Sequence, residues 1–187
     1  MSVNIQLEWT PNPSTLKYVV DMKLLPSGAM NFTKPELATD KSPLAEKLFG
    51  IKGVVGVMIG TNFVTVTKGD EGEWDELNDG VMMALDKHLG EGGVAVKPEV
   101  LEERARAMAA NGGAIEERIK EILEAEIRPA VAQDGGDITL DKFENGVVYL
   151  HMQGSCSGCP SSTATLKMGI ESRLKESIPE VTEVVAV

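Results

Sequence analysis

The stretch "GGDITLDKFENGVVYLHMQGSCSGCP", residues 135–160, decides the fold of the C-terminal part of this chain. Its runs "GGDITLDKFEN" and "GVVYLHMQG" predict two strands, and Glu144-Asn145-Gly146 predicts the turn that joins them. Apolar residues at helical spacing predict an amphipathic helix over 114–133, with Pro129 able to kink its last turn or to break the helix. A second amphipathic helix is predicted from "CPSSTATLKMGIESRLKESI" and a closing strand from "EVTEVVAV". The order α-β-β-α-β predicts an α+β unit with both helices on one face of a small sheet.

The N-terminal part carries a second set of strand and helix signals. Alternating or β-rich runs predict strands in "SVNIQLEW", "STLKYVV", "GAMNF", "GVVGVMIG" and "FVTVTK". Ser42 followed by Pro43 predicts the start of a short helix that ends at Gly50. A longer helix is predicted over "EWDELNDGVMMALDKHL". These elements make a second small α+β domain.

Glycine pairs bracket a polar segment between these two parts. It is rich in Ala, Arg and Glu and has few large apolar residues, which is typical of a linker. We expect it to be helical around 99–110. The sequence therefore predicts two domains, at 1–93 and 114–187, with a partly helical linker at 94–113.

Composition limits the classes of function. The chain has 187 residues, a formal net charge of −11 and two cysteines. Acidic residues spread along the chain argue against nucleic acid and anionic membranes as partners, because phosphate binding needs clustered Lys and Arg. No segment approaches the ~18 consecutive apolar residues of a membrane span, and the start does not have the pattern of a signal peptide. Two cysteines are too few for a disulfide-stapled scaffold, so we expect a soluble protein in a reducing compartment.

Both cysteines lie in "GSCSGCPSS", residues 154–162, where a predicted strand ends and a helix begins. Unpaired N–H groups and the macrodipole at a helix N-terminus stabilise thiolate, so we expect lowered pKa values for Cys156 and Cys159. Gly154 and Gly158 allow the backbone to approach whatever the sulfurs bind. We expect both thiols at an exposed edge.

Several kinds of site fit two thiols at this spacing. Iron–sulfur clusters are held by four thiolates and structural zinc by four ligands, so two chains related by a two-fold axis could share one site. A thiol–disulfide couple also uses C-x-x-C at a strand-to-helix junction, although only one helix and one strand follow Cys159. A zinc site with His88 and His151 would require the two domains to close together, and a nucleophilic cysteine would need a base that the sequence does not place.

The stretch "QDGGD", residues 133–137, has two interpretations. Its glycines fit a helix C-terminus that turns into a strand, which is the simpler interpretation. Alternatively, Asp134 and Asp137 border the cysteine site.

These residues resemble a known family. "EIRPAVAQDGGDITL" and "GVVYLHMQGSCSGCPSSTATLKMGIE" resemble the Nfu domain, the C-terminal module of NifU-like iron–sulfur proteins. "EWTPNPSTLKYVV" and "SPLAEKLFGIKGVVGVMIGTNFVTVTK" resemble the N-terminal domain of Nfu proteins. The resemblance implies a scaffold or carrier, not an enzyme, that binds a 4Fe–4S cluster between two chains. Cys156 and Cys159 would be the cluster and metal ligands, and no catalytic residues carry over.

The resemblance also implies partners and a location. The partners would be apo iron–sulfur client proteins, upstream cluster assembly factors and a second copy of the chain on cluster binding. We expect the cysteine-free N-terminal domain to dock clients or to modulate assembly, with its turn "TPNP" and loop "GTN" as candidate surfaces. Mitochondrial members carry a presequence that we do not find here, so we expect a bacterial cytoplasmic protein, although a mature organellar form would look the same.

Overall fold

A computed structural model describes residues 2–110, 113–157 and 160–187. The described chain contains two sheets, each with its own helices and its own apolar core. Among these residues, no helix is long and apolar enough to cross a membrane. The α+β fold class is confirmed, whereas the boundaries at 1–93, 94–113 and 114–187 stay a prediction.

The first sheet has five antiparallel strands in the order β1-β2-β5-β4-β3. Three helices accompany it: α1, a short helix that the sequence did not predict, α2 and α3. Ser42 caps α2 as expected, since its hydroxyl accepts a hydrogen bond of 3.0 Å from the N–H of Ala45. The elements are β1 (Ile5–Trp9), β2 (Thr15–Val20), β3 (Met30–Phe32), α1 (Pro35–Ala38), α2 (Pro43–Phe49), β4 (Val54–Ile59), β5 (Phe63–Lys68) and α3 (Trp74–Gly90).

Alternation along these strands separates the two faces of the first sheet. On one face, Leu16 and Tyr18 of β2 join the apolar core together with residues of α2 and α3. On the other face lie Lys17 of β2 and Thr65 of β5, which are also buried. The burial of this second face shows that something covers it.

The segment after α3 forms helix α4 (Pro98–Ala110), close to the predicted helical part of the linker. Val100 and Leu101 pack against the first core. The segment is therefore held to the first sheet by apolar contacts.

The second sheet has three strands in the order β6-β7-β8. β6 and β7 form the predicted hairpin, and Asn145 and Gly146 have φ values of +53° and +84°, as a turn with two left-handed residues requires. β8 pairs parallel to β7 after the chain crosses over through α7. The elements are α5 (Ala114–Ile122), a π-helical turn (Leu123–Ile127), α6 (Arg128–Gln133), β6 (Gly136–Glu144), β7 (Val147–Gly154), α7 (Pro160–Ser177) and β8 (Glu183–Ala186).

The helix predicted over 114–133 is continuous but widens at the π-helical turn. Pro129 is the second residue after that turn, and its missing N–H deprives the preceding turn of one hydrogen bond. The prediction of a perturbed helix near Pro129 therefore agrees with the structure. Ile119 and Leu174, on α5 and α7, share one core with Ile138 and Leu150 of the sheet.

Candidate functional site

Cys156 lies in the loop between β7 and α7, as the sequence predicts. Cys159 falls outside the described residues. Gly154 starts this loop with a φ of +62°, and a Cβ at this position would lie 2.6 Å from the carbonyl oxygen of Gly135. The loop begins at a position where a side chain would be strained and would clash with the main chain.

The prediction of an exposed, acidic thiol is wrong for Cys156. Its side chain belongs to the apolar core of the second sheet and the residue is only 7% exposed. Burial raises the pKa of Cys156 to about 11, Asp134 and Asp137 push it in the same direction, and a hydrogen bond with Ser155 opposes them. Desolvation of the thiolate therefore outweighs the stabilisation expected from a helix N-terminus.

Gly136 provides the space that the thiol occupies. A Cβ on Gly136 would lie 2.3 Å from Sγ of Cys156, so no larger residue fits without displacing the sulfur. Sequence reasoning assigned this glycine to turn chemistry alone. The doubled glycine was the only signal that could have located this contact.

The turn interpretation of "QDGGD" agrees with the structure, and the main chain of this segment also contacts the cysteine loop. Gly135 has a φ of +73°, which suits the turn that follows α6. Its carbonyl also accepts a hydrogen bond of 3.3 Å from the N–H of Ser155, and the hydroxyl of Ser155 donates to the carbonyl of Asp134. The turn and the cysteine-bearing loop are thus fastened to each other.

The carboxylate of Asp137 pairs with Arg128. Its two carboxylate oxygens accept hydrogen bonds of 2.7 and 2.8 Å from the guanidinium group, and both residues are buried. Glu124 pairs with the same guanidinium from one helical turn earlier. Arg128 was not among the predicted site residues, because nothing local in the sequence marks it as the partner of a buried aspartate.

The buried second face of the five-stranded sheet lies against this loop region. The hydroxyl of Thr65 donates to the carbonyl of Gly135 at 2.8 Å. The amide of Asn12, in the turn "TPNP" that we considered for client docking, donates to the carbonyl of Ser157 at 3.1 Å. In this structure the turn therefore binds its own chain beside Cys156.

The two histidines have partners elsewhere. A ring nitrogen of His88 lies 2.8 Å from the carbonyl of Val94, and a ring nitrogen of His151 lies 3.3 Å from the carboxylate of Asp141. Within the described ranges, no group of three or more His, Cys, Asp or Glu residues is arranged to hold a metal ion. The zinc site considered from the sequence is not assembled by these residues.

Family comparisons match both parts of the chain. Residues 119–185 match the NifU-like domain, and residues 5–92 match the family described as scaffold protein Nfu/NifU N terminal. The NFU1 iron-sulfur cluster scaffold homolog, mitochondrial, of Homo sapiens is 41% identical over 180 residues, which cover 95% of this chain and 69% of that protein. The chain belongs to the Nfu/NifU family. NifU-like protein 4, mitochondrial, of Arabidopsis thaliana is 43% identical over 186 residues, which cover 95% of this chain and 63% of that protein.

A solved structure is also similar to part of this Nfu/NifU chain. The NifU-like protein from Saccharomyces cerevisiae aligns with a TM-score of 0.47 at 24% identity, over 52% of this chain and 87% of that one. The chain spans 63% of the length of the Arabidopsis relative, so it corresponds to part of that protein.

The relatives correct one expectation. Curated relatives in plants, humans and flies carry the word mitochondrial in their names. These names contradict the expected bacterial cytoplasmic location and point to an organellar form.

Proposed function

We propose that this chain is an iron–sulfur cluster scaffold and carrier rather than an enzyme. It binds a 4Fe–4S cluster between two copies of the chain, through Cys156 and Cys159 of each copy, and passes the cluster to apo-proteins. Its partners are apo iron–sulfur clients and upstream assembly factors. Support comes from membership in the Nfu/NifU family and from a relative that is named an iron-sulfur cluster scaffold.

The observation that carries the proposal is the number and spacing of the cysteines in this Nfu/NifU chain. The chain has two cysteines in total, two residues apart, and a cluster of this kind takes four thiolates. Two copies supply the required four ligands, and two-fold symmetry is the commonest arrangement of oligomers. A cluster held between separable chains can be released when the chains part, which suits a carrier.

A cysteine thiolate is a suitable ligand for an iron–sulfur cluster. In this structure, however, the sulfur of Cys156 is buried and therefore not exposed to a second chain. Sγ lies against Gly136 inside the core of the second sheet. Loading therefore requires the loop to turn the side chain outward and the thiol to lose its proton. Ligation by iron favours the thiolate and offsets the cost of that deprotonation.

Anaerobic reconstitution with iron and sulfide, followed by native mass spectrometry, tests the proposal. We expect a dimer that carries the mass of one 4Fe–4S unit in the wild type and none in Cys156→Ser or Cys159→Ser. His151→Ala serves as the control, because it removes an exposed potential ligand and should leave the cluster in place. If the protein instead stayed a metal-free monomer and reduced a disulfide substrate, the proposed carrier function would be wrong and a thiol–disulfide oxidoreductase would take its place.

Transfer needs its own measurement. The reconstituted dimer is mixed anaerobically with apo-aconitase, and the recovery of aconitase activity is followed against free iron and sulfide at the same concentrations. Recovery that is faster with the protein than with free ions, and insensitive to a chelator, supports direct transfer. Recovery that the chelator abolishes contradicts it.

A further inference from the structure

The second face of the five-stranded sheet binds the main chain around the cysteine loop. Three side chains of the N-terminal part each donate one hydrogen bond to a carbonyl of the C-terminal part, and we call them the clamp residues. These bonds run from Asn12 Nδ2 to Ser157 O (3.1 Å), from Lys17 Nζ to Gln133 O (3.1 Å) and from Thr65 Oγ1 to Gly135 O (2.8 Å).

Apolar side chains surround these hydrogen bonds. Met58 and Phe63, on β4 and β5, are buried and form a small cluster with Ala29, against which Ala132 of α6 packs. A Cβ on Gly154 would lie 2.8 Å from Cε of Met58, so the sheet touches the start of the cysteine loop directly. Because Thr65 is completely buried, its hydrogen bond is shielded from competing water.

Two of the three acceptors precede Gly136 in the chain, and the third follows Cys156. Gln133 and Gly135 belong to the turn that is fastened to Ser155, and Ser157 follows Cys156 by one residue. The clamp residues therefore fix the main chain before and after the position at which Sγ packs on Gly136. They stabilise the conformation in which the thiol is buried.

Two cavities adjoin the contact between the N-terminal and C-terminal parts. One, of about 260 Å³, is lined by Gly28 and Phe63 from one side and by Gly136 and Asp137 from the other. A larger one, of about 650 Å³, lies between β3, α4, α5 and β6. Both open to solvent, so clefts border this contact. Each sheet has its own apolar core, so the two parts can separate without unfolding either one.

We infer that the five-stranded sheet is a clamp on the cysteine loop of its own chain. While the clamp residues are engaged, Cys156 stays buried, and their release exposes it. This inference rests on the proposed function for its purpose: two chains can share a cluster only when their loops leave the sheets. Cluster loading and release of the clamp are then coupled, and each favours the other.

The cluster-free protein provides the first test. In the full chain with Cys159→Ser, Cys156 is the sole thiol, and its alkylation by iodoacetamide is timed at one fixed pH. Asn12→Asp keeps the oxygen that accepts from Ser14 N–H but loses the donor to Ser157. Thr65→Val loses the donor to Gly135 and keeps the shape of the side chain.

Each variant should raise the alkylation rate about fivefold, the factor by which one net hydrogen bond shifts an equilibrium. Thr39→Val is the matched control, because Thr39 donates a similar hydrogen bond to Pro35 at an exposed site. It should leave the rate unchanged. Equal rates in wild type, Asn12→Asp and Thr65→Val would overturn the clamp.

Two further measurements separate opening from unfolding. Urea denaturation of the same variants gives their free energies of unfolding, and hence the increase in alkylation rate that global unfolding alone would cause. An observed increase in alkylation rate no larger than this contradicts the clamp. Small-angle scattering should give a radius of gyration near ~16 Å for the cluster-free wild type, as for one compact body of this length, and a larger value for the double variant Asn12→Asp/Thr65→Val. A wild type that is already extended would also overturn the inference.

The loaded protein tests the coupling. Scattering from the reconstituted dimer should show the two parts of each chain separated, and Asn12→Asp should accelerate cluster uptake. If the five-stranded sheet of each chain still contacts the cysteine loop in the loaded dimer, the coupling is contradicted. A chain that takes up no cluster defeats the proposed function, and the alkylation experiment still decides whether the clamp exists.

Discussion

The guanidinium of Arg128 holds both carboxylate oxygens of Asp137, at 2.7 and 2.8 Å, inside the C-terminal part of the chain. Arg128 starts α6, and Asp137 is the second residue of β6. The pair therefore fixes the helix to the strand that also carries Gly136, the residue against which the thiol of Cys156 packs. A structural ion pair and the candidate site share one short segment.

Asp137→Asn should lower the free energy of unfolding by about 3 kcal/mol, because it removes the buried counter-charge of the guanidinium and leaves only Glu124, whose side chain is 48% exposed. Urea denaturation followed by circular dichroism measures this loss. The double variant Arg128→Met/Asp137→Leu should recover part of it, since apolar residues of similar size remove both charges together.

An exposed ion pair supplies the control for this prediction. Lys142 and Glu144 are 2.9 Å apart, with each side chain about half exposed. Glu144→Gln should change the free energy of unfolding by no more than ~0.5 kcal/mol. Equal losses in Asp137→Asn and Glu144→Gln would show that burial of the Arg128 pair contributes nothing.

Tyr18→Phe should raise the free energy of unfolding by about 1 kcal/mol. Tyr18 is completely buried, burial raises the pKa of its hydroxyl, and that hydroxyl has no hydrogen-bond partner among the described residues. Phe keeps the ring in the core and removes a polar group whose desolvation is uncompensated. The urea midpoint measures the gain, and a loss of stability would mean that the hydroxyl has a partner.

Local patterns in the sequence predicted much of the fold, because the forces that form these elements are local. The hairpin turn at Asn145 and Gly146 needs two residues that tolerate positive φ, and the cap at Ser42 needs one hydroxyl beside Pro43. The α-β-β-α-β order follows from the apolar periodicity of each segment. Such signals depend on residues within a few positions of each other.

The candidate site was less predictable, because its properties depend on contacts across the chain. The amide of Asn12 meets Ser157, which lies 145 positions away. No pattern near Cys156 shows that its thiol enters a core rather than facing solvent, so the expected direction of its pKa shift was wrong. A motif predicts the chemistry of a thiol, while only packing sets its exposure.

Gly136→Ala should destabilise the protein by about 1–3 kcal/mol and expose Cys156. The added Cβ would lie 2.3 Å from Sγ, so either the sulfur or the strand must move. The urea midpoint gives the loss of stability, and the alkylation rate in a Cys159→Ser background reports the exposure.

Gly169→Ala is the matched control, because no heavy atom lies within 4 Å of the added Cβ and the residue is in the interior of α7. It should raise the free energy of unfolding by about 0.5–1 kcal/mol through helix propensity alone. If Gly136→Ala behaved like Gly169→Ala, the close packing of Cys156 on Gly136 would be refuted.

The cluster-free protein should lose stability as the pH rises from about 8.5 to 11, and Cys156 should be the cause. Its pKa is about 11 in the folded chain, whereas an unfolded thiol has a pKa of ~8.5. The unfolded state therefore releases the proton first, so the stabilisation from burying a neutral thiol is complete below pH ~8.5 and is lost as the pH approaches 11.

Other groups also titrate in this range, so a difference between two variants isolates the thiol. Urea denaturation at each pH compares Cys159→Ser with Cys156→Ala/Cys159→Ser, which has no thiol. The difference in unfolding free energy between them should shrink by about 2–3 kcal/mol as the pH rises from 8 to 11. A constant difference would mean that the folded thiol ionises as readily as the unfolded one, as it would if it faced solvent.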